Sequence, residues 1–123
     1  MGEIEFDDLD FSESLLGAPA ISGDDLVVPV AQLYALRGEP PQNEGPLAGR
    51  LVFCGVSVSR RDVREYVGDP RSGQGFKAPY VVEDVDPRPA EDAREFLFEG
   101  VQEAPTAWVA WTVRARVFML ELD

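Results

Sequence analysis

Carboxylates are the side chains of this 123-residue chain that could do chemistry, since it has 23 acidic residues, no histidine and one cysteine. Without histidine, Ser-His-Asp and Cys-His nucleophiles cannot form, and histidine-ligated zinc sites are excluded. Lys77, the single lysine, lies in a glycine-rich stretch where the burial needed for a general base is not expected. The sequence therefore favours a binding protein over an enzyme.

Two local motifs come close to known ligand sites and fail at defining positions. Oxygen-bearing side chains alternate from Asp8 as in a calcium loop, but Glu13 takes the place of the required glycine and Pro19 that of the final glutamate. Residues 68–75 are rich in glycine like a phosphate loop, but Gln74 stands where lysine must neutralise phosphate. No metal or cofactor is expected. A carboxylate pair meeting across a cleft stays open, as in a small hydrolase or sugar-binding domain.

The negative charge is concentrated at the beginning of the chain. Residues 1–36 contain no base and carry a net charge of −8, which leaves −4 for the remainder and gives −12 in total. Such a field attracts cationic partners and repels nucleic acid and anionic lipid. The eight acids, which we expect to bind a partner, are Glu3, Glu5, Asp7, Asp8, Asp10, Glu13, Asp24 and Asp25.

Apolar residues interrupt these acids at alternate positions between residues 3 and 11. This alternation predicts an edge strand with one face packed and the other presented to a basic partner. Trp108, next to a turn at Pro105, is a candidate exposed anchor of the same interface, the alternative being a partly buried edge residue, whereas Trp111 belongs to the core. Arg60, Arg61 and Arg64 form a local cationic cluster. They are expected on a solvated surface with neighbouring acids, the alternative being a weak anion-binding site.

Turn residues divide the chain into short apolar runs, which is typical of a β protein. We expect residues 1–123 to form a single-domain antiparallel sandwich or half-open barrel, mainly β, with about six to eight strands and at most one or two short helices; an α+β fold is the alternative. Strands are predicted for residues 50–58, 80–85, 93–101 and 107–122, the last bending near 114–116. Residues 11–21 and 26–36 should pair around a turn at 22–25, and residues 38–49 should form a loop. Residues 29–37, 59–67 and 89–99 fit either a strand or a short helix.

These observations predict a small acidic binding protein that neutralises a basic partner, most concretely a bacterial immunity protein that occludes a toxin. A nucleic-acid mimic that inhibits a DNA-binding protein is the second hypothesis, and the carboxylate-dependent hydrolase or sugar-binding domain is the third. The lone Cys54 cannot form an internal disulfide, and neither a secretory signal nor an apolar run long enough to span a bilayer is visible. We therefore expect a cytoplasmic protein.

Overall fold

A computed structural model describes residues 5–37, 42–67, 75–85, 89–103 and 106–123. These residues form ten strands and one 3₁₀ turn, and no α-helix occurs among them, so the predicted mainly β class is confirmed. Within the described ranges, no helix has the length and apolar character needed to cross a membrane. The elements in chain order are the 3₁₀ turn Phe6–Asp8, β1 Leu9–Asp10, β2 Leu15–Leu16, β3 Ala20–Ser22, β4 Asp25–Arg37, β5 Gln42–Cys54, β6 Val58–Glu65, β7 Tyr80–Glu83, β8 Arg94–Gln102, β9 Ala107–Ala115 and β10 Val117–Leu122.

The strands belong to one sheet with the order β10-β5-β4-β2-β8-β9-β6-β7, and β1 and β3 also pair with β4. Its strand pairs are antiparallel except for β2 and β8, which are parallel where Leu15 lies opposite Val101. The sheet curls over itself, because Phe53 of β5 stacks on Phe98 of β8 at 5.7 Å between ring centroids although two strands separate them. The result is a half-open barrel around an apolar core.

Period-two alternation decides which side chains enter that core. On β9 the side chains of Val109, Trp111 and Val113 are buried, and the residues between them are more exposed. On β8 the buried residues are Phe96 and Phe98. Burying one such side chain contributes about 1.5–3 kcal/mol, so these two adjacent strands supply much of the apolar core.

These strands decide two segments that the sequence left open between strand and helix, and they agree with the predicted turn and bend. Residues 29–37 are a strand rather than a helix, and β6 covers most of residues 59–67. The turn at residues 22–25 joins β3 to β4, with Gly23 at φ +60°, a left-handed conformation that glycine adopts without steric cost. The long C-terminal apolar run is divided at Arg116 into β9 and β10, as the predicted bend required.

Two local predictions are wrong. Residues 42–49 are not a loop but the first part of β5, which pairs with β4 through Glu44 opposite Ala35; residues 38–41 lie outside the described ranges. Register shifts in β4 between Val30 and Ala35 accommodate this irregular pairing. The alternating N-terminal segment is not a regular edge strand either, because only Leu9–Asp10 is a strand and a 3₁₀ turn precedes it.

Candidate protein-binding surface

Residues 5–14 run alongside β8 and are anchored there by aromatic contacts. The Phe6 ring meets Phe96 edge-on at 5.0 Å between centroids, and the Phe11 ring packs on Phe98 at 5.2 Å. The apolar residues among the acids therefore cover the core instead of forming one face of a regular strand. Their packing holds the intervening carboxylates at the outer surface next to β8.

Two acids of this segment are occupied by contacts within the chain. Both carboxylate oxygens of Asp7 accept hydrogen bonds from Arg94 Nη2 at 3.0 Å. Asp8 Oδ2 accepts the backbone N–H of Glu5 at 3.1 Å. Asp7 thus ties the segment to the beginning of β8, and Asp8 stabilises the start of the 3₁₀ turn, while the side chain of Glu5 is exposed.

Asp10 is held in its charged form by the next turn of the chain. Its Oδ1 accepts hydrogen bonds from the hydroxyl and the backbone N–H of Ser12, at 2.7 and 3.0 Å. Both donors favour the carboxylate, the hydroxyl most, so the pKa of Asp10 lies below its ordinary value. Glu13, the next acid, is exposed.

Asp24 and Asp25, two further predicted acids, lie apart from this group. Glu3 lies outside the described residues. Asp24 and Asp25 are in the β3–β4 turn, where Asp24 borders a separate hollow of about 260 Å³ with Asp92 and Arg116. The structure therefore places the described members of the predicted acidic set in two regions.

Cys54 lies close to Asp25. Burial, with a smaller contribution from Asp25, raises the pKa of the Cys54 thiol, so this half-buried cysteine is protonated at neutral pH.

A shallow groove of about 550 Å³ lies on the outer face of β8 and β9 beside the N-terminal segment. Leu97, on its β8 side, is 61% exposed. Trp108, on its β9 side, is half-buried. We call this feature the Trp108 groove; its outward-facing residues are Phe11, Ser12, Leu97, Glu99, Trp108, Ala110 and Thr112.

Carboxylates border the Trp108 groove. Glu95 and Glu99 flank Leu97 at alternate positions of β8, and all three are exposed. Glu13 follows Ser12 beside the groove. Within the described ranges, none of these three carboxylates forms an ion pair, although Glu95 lies opposite Arg114 of β9 in the sheet. The exposed apolar side chain of Leu97 thus lies between carboxylates, with one base facing Glu95.

The predicted arginine cluster does not form one patch. Arg64 lies opposite Trp108 on the outer face, and Arg60, also on that face, is 3.5 Å from the Asp62 carboxylate. Arg61 points to the inner face, as strand alternation requires, and its guanidinium lies 5.0 Å from the Trp111 ring centroid. The groove is therefore acidic towards β8 and basic towards β6.

Arg61 belongs to a polar network that sequence reasoning missed. Its Nη2 and Nε donate to the two carboxylate oxygens of Asp84 at 2.8 and 3.2 Å. Ser59 Oγ donates to the same carboxylate at 2.9 Å and accepts the Trp111 indole N–H at 2.9 Å. The network joins β6 and β9 to the residue that follows β7, so its evident role is structural.

A cleft of about 730 Å³ lies between β2, β4, β5 and the end of β8. Its two basic residues are neutralised within the chain: Asp84 pairs with Arg61, and Arg50 donates to Glu121 and Asp123 at 3.2 and 3.1 Å. Among the residues that the structure describes, no group of three or more acidic or cysteine side chains is placed to hold a metal ion.

The outward residues of β8 were also missed, although their signal is present in the sequence. Glu95, Leu97 and Glu99 alternate with buried Phe96 and Phe98, and the prediction of a strand there already implied two faces. What the sequence did not indicate was that Leu97 lies beside Trp108 and the acidic segment.

Comparison with protein-family models, with curated proteins and with solved structures finds no match for this chain.

Proposed function

We propose that this chain is a non-enzymatic binding protein that neutralises a basic partner protein through the Trp108 groove. The observation that carries the proposal is the exposed Leu97 side chain held between the exposed carboxylates of Glu95 and Glu99. Protein interfaces combine an apolar anchor with a charged rim, and aromatic residues are common among the anchors. The most concrete form of the proposal is an immunity protein that occludes a toxin.

The distribution of charge around the groove suggests how a partner would be oriented. Carboxylates next to β8 attract basic side chains and accelerate association. Arg64 on the opposite side disfavours a cation there, so a basic segment is expected to lie over β8 with its apolar residue against Leu97. These acids are grouped along one strand and its flanking segment, which fits a protein partner better than the long, regular array that a nucleic-acid mimic requires.

The test begins with proteins captured from the source cells by the immobilised chain in about 0.15 M salt. Each purified candidate is then titrated calorimetrically against two variants. Removing the anchor with Leu97→Ser and Trp108→Ala should weaken binding by about 30-fold, as expected for a hot spot of about 2 kcal/mol. Neutralising Glu13, Glu95 and Glu99 to Gln should weaken binding by about tenfold, mostly by slower association.

A matched control removes the same number of charges elsewhere, with Glu91→Gln, Asp92→Asn and Glu103→Gln, all at exposed positions. This control should bind within about threefold of the unmodified chain, because its anchor and its rim are intact. Capture of only neutral or acidic partners would refute the proposal. Equal weakening by the control and the rim variant would show that overall charge, rather than the groove, attracts the partner.

A further inference from the structure

Among the strands that the structure describes, β10 forms an open end of the sheet, because it pairs with β5 alone. At the end of this ladder the Asp123 N–H donates to the Ala48 carbonyl at 3.0 Å. Antiparallel ladders alternate between inward and outward backbone groups, so Met119 directs its N–H and C=O towards β5. The backbone groups of Phe118 and Leu120 face the open side and can pair with another strand.

This edge lacks the features that usually prevent strand addition. Four apolar residues follow one another from Val117, and the exposed fractions of Val117 and Met119 are 49% and 45%. Exposed edges are commonly protected by lysine, proline or short length. The opposite edge of the sheet has two of these protections, since β7 is only four residues long and follows Pro79.

The apolar surface of the edge continues across the outer face of the sheet. Met119 lies opposite Val52, Val52 lies opposite Val27, and Val27 lies opposite Ala20. Val52 is only 8% exposed, whereas Met119 at the border is uncovered. A strand added at this edge would bury the exposed Met119 side chain, which ends this row of apolar residues.

Charges at the two ends of β10 indicate which strand fits. Arg116 precedes the strand, and Glu121 lies near its end with Asp123 immediately beyond it. A strand that is positive at one end and negative at the other is complementary to itself when the two copies run antiparallel. Arg50 of the same chain pairs with both acids, so one base against two acids leaves a net charge of −1 at that end. Pairing with a second copy brings Arg116 of each copy towards this negative end of the other.

We propose that two copies of this chain associate through antiparallel pairing of their β10 strands, with Met119 of both copies at the two-fold axis. In this register Phe118 lies opposite Leu120 of the second copy, and the outward backbone groups of both residues are satisfied. Six residues per strand make a small interface, so the dimer is reversible. At physiological salt the Debye length is about 8 Å, which limits repulsion between distant acidic surfaces.

The experiment measures molecular mass by sedimentation equilibrium from about 5 μM to about 1 mM in about 0.15 M salt. The unmodified chain should approach twice the monomer mass as its concentration rises. Met119→Lys places two ammonium groups opposite each other and should weaken association by at least tenfold. The control Leu97→Lys, in the Trp108 groove, should leave association unchanged. A monomeric unmodified chain throughout this range overturns the proposal, as does a dimer that Met119→Lys does not weaken.

A charge exchange tests the antiparallel arrangement itself. Arg116→Glu and Glu121→Arg should each dimerise more weakly than the unmodified chain, since each brings like charges together. A mixture of the two should recover association as a heterodimer, because every facing pair is then opposite in charge. Failure of the mixture to recover association overturns the antiparallel arrangement.

Amide exchange of the unmodified chain tests the dimer without any substitution. The backbone amides of Phe118 and Leu120 should become more protected as the protein concentration rises, and unchanged exchange counts against the proposal.

Discussion

At the scale of single residues, the most deeply buried ion pair among the described residues is the one between Arg61 and Asp84. The side chains of Arg61 and Asp84 are 16% and 6% exposed, and the Asp84 carboxylate accepts hydrogen bonds from Arg61 and from Ser59. Desolvating two charges is costly, and the pair is tolerated because both Asp84 oxygens have donors. Removing one partner leaves the other charge without compensation.

Replacing Asp84 with Ala should therefore lower the free energy of unfolding by about 3 kcal/mol, because the Arg61 charge loses its partner in a largely buried site. Urea unfolding followed by circular dichroism measures the loss. Asp62→Ala removes an exposed partner of Arg60 and should cost less than about 1 kcal/mol. Similar losses in the two variants would show that the inner pair contributes no more than a surface contact.

At the scale of elements, the N-terminal segment is a cover for β8 and for the aromatic part of the core. The Phe6 ring contacts four other rings, those of Phe11, Phe96, Phe98 and Phe118. Farther along, Ser14 accepts the Val101 N–H at its carbonyl, 3.0 Å away, and β2 then pairs with β8. The segment is thus fixed at both ends, and its acids share the rigidity of the barrel.

Phe6→Ala should lower the free energy of unfolding by about 2 kcal/mol, because the substitution removes four aromatic contacts. The loss is smaller than for a fully buried phenylalanine, because the Phe6 ring is only half-buried. Amide exchange should also become faster for Leu9, whose strand β1 follows the loosened 3₁₀ turn. The control is Phe76→Ala, since that exposed ring contacts only Tyr66 among the described aromatic residues. Unchanged exchange at Leu9 in the Phe6 variant would mean that the segment is held without this ring.

At the scale of the whole molecule, 23 acids against 11 bases give a net charge of −12. The described ion pairs neutralise only part of this charge, and the carboxylates around the Trp108 groove are among those left. Self-repulsion destabilises a compact chain of high net charge. The excess of carboxylates therefore lowers stability, whereas the proposed attraction of a basic partner depends on the same excess.

Raising sodium chloride from about 10 mM to about 200 mM should increase the free energy of unfolding by about 1 kcal/mol, because salt screens the repulsion within the folded chain. Urea unfolding at each salt concentration measures this change. Changing Glu91, Asp92 and Glu103 to Lys adds two positive units at each position and brings the net charge from −12 to −6, so the salt effect should shrink. A decrease in stability with salt would show that attractive ion pairs outweigh the net repulsion.

The absence of histidine chemistry, the negative field and the mainly β class could all be predicted from the amino-acid sequence alone. These properties depend on composition and on alternation between neighbouring residues, which are local. Alternation at Val109, Trp111 and Val113 was sufficient to predict β9, whereas alternation at Phe96 and Phe98 favoured a strand for β8 but left a short helix open before it.

Which outward faces meet could not be predicted without the fold. Leu97 lies beside Trp108, and Arg61 reaches Asp84, because sheet order and register bring together residues that are far apart along the chain. The pairing of residues 42–49 with β4 likewise overrode the turn composition that predicted a loop. Local sequence fixes which way a side chain points within its strand, whereas its neighbours depend on how a curled sheet closes over one shared core.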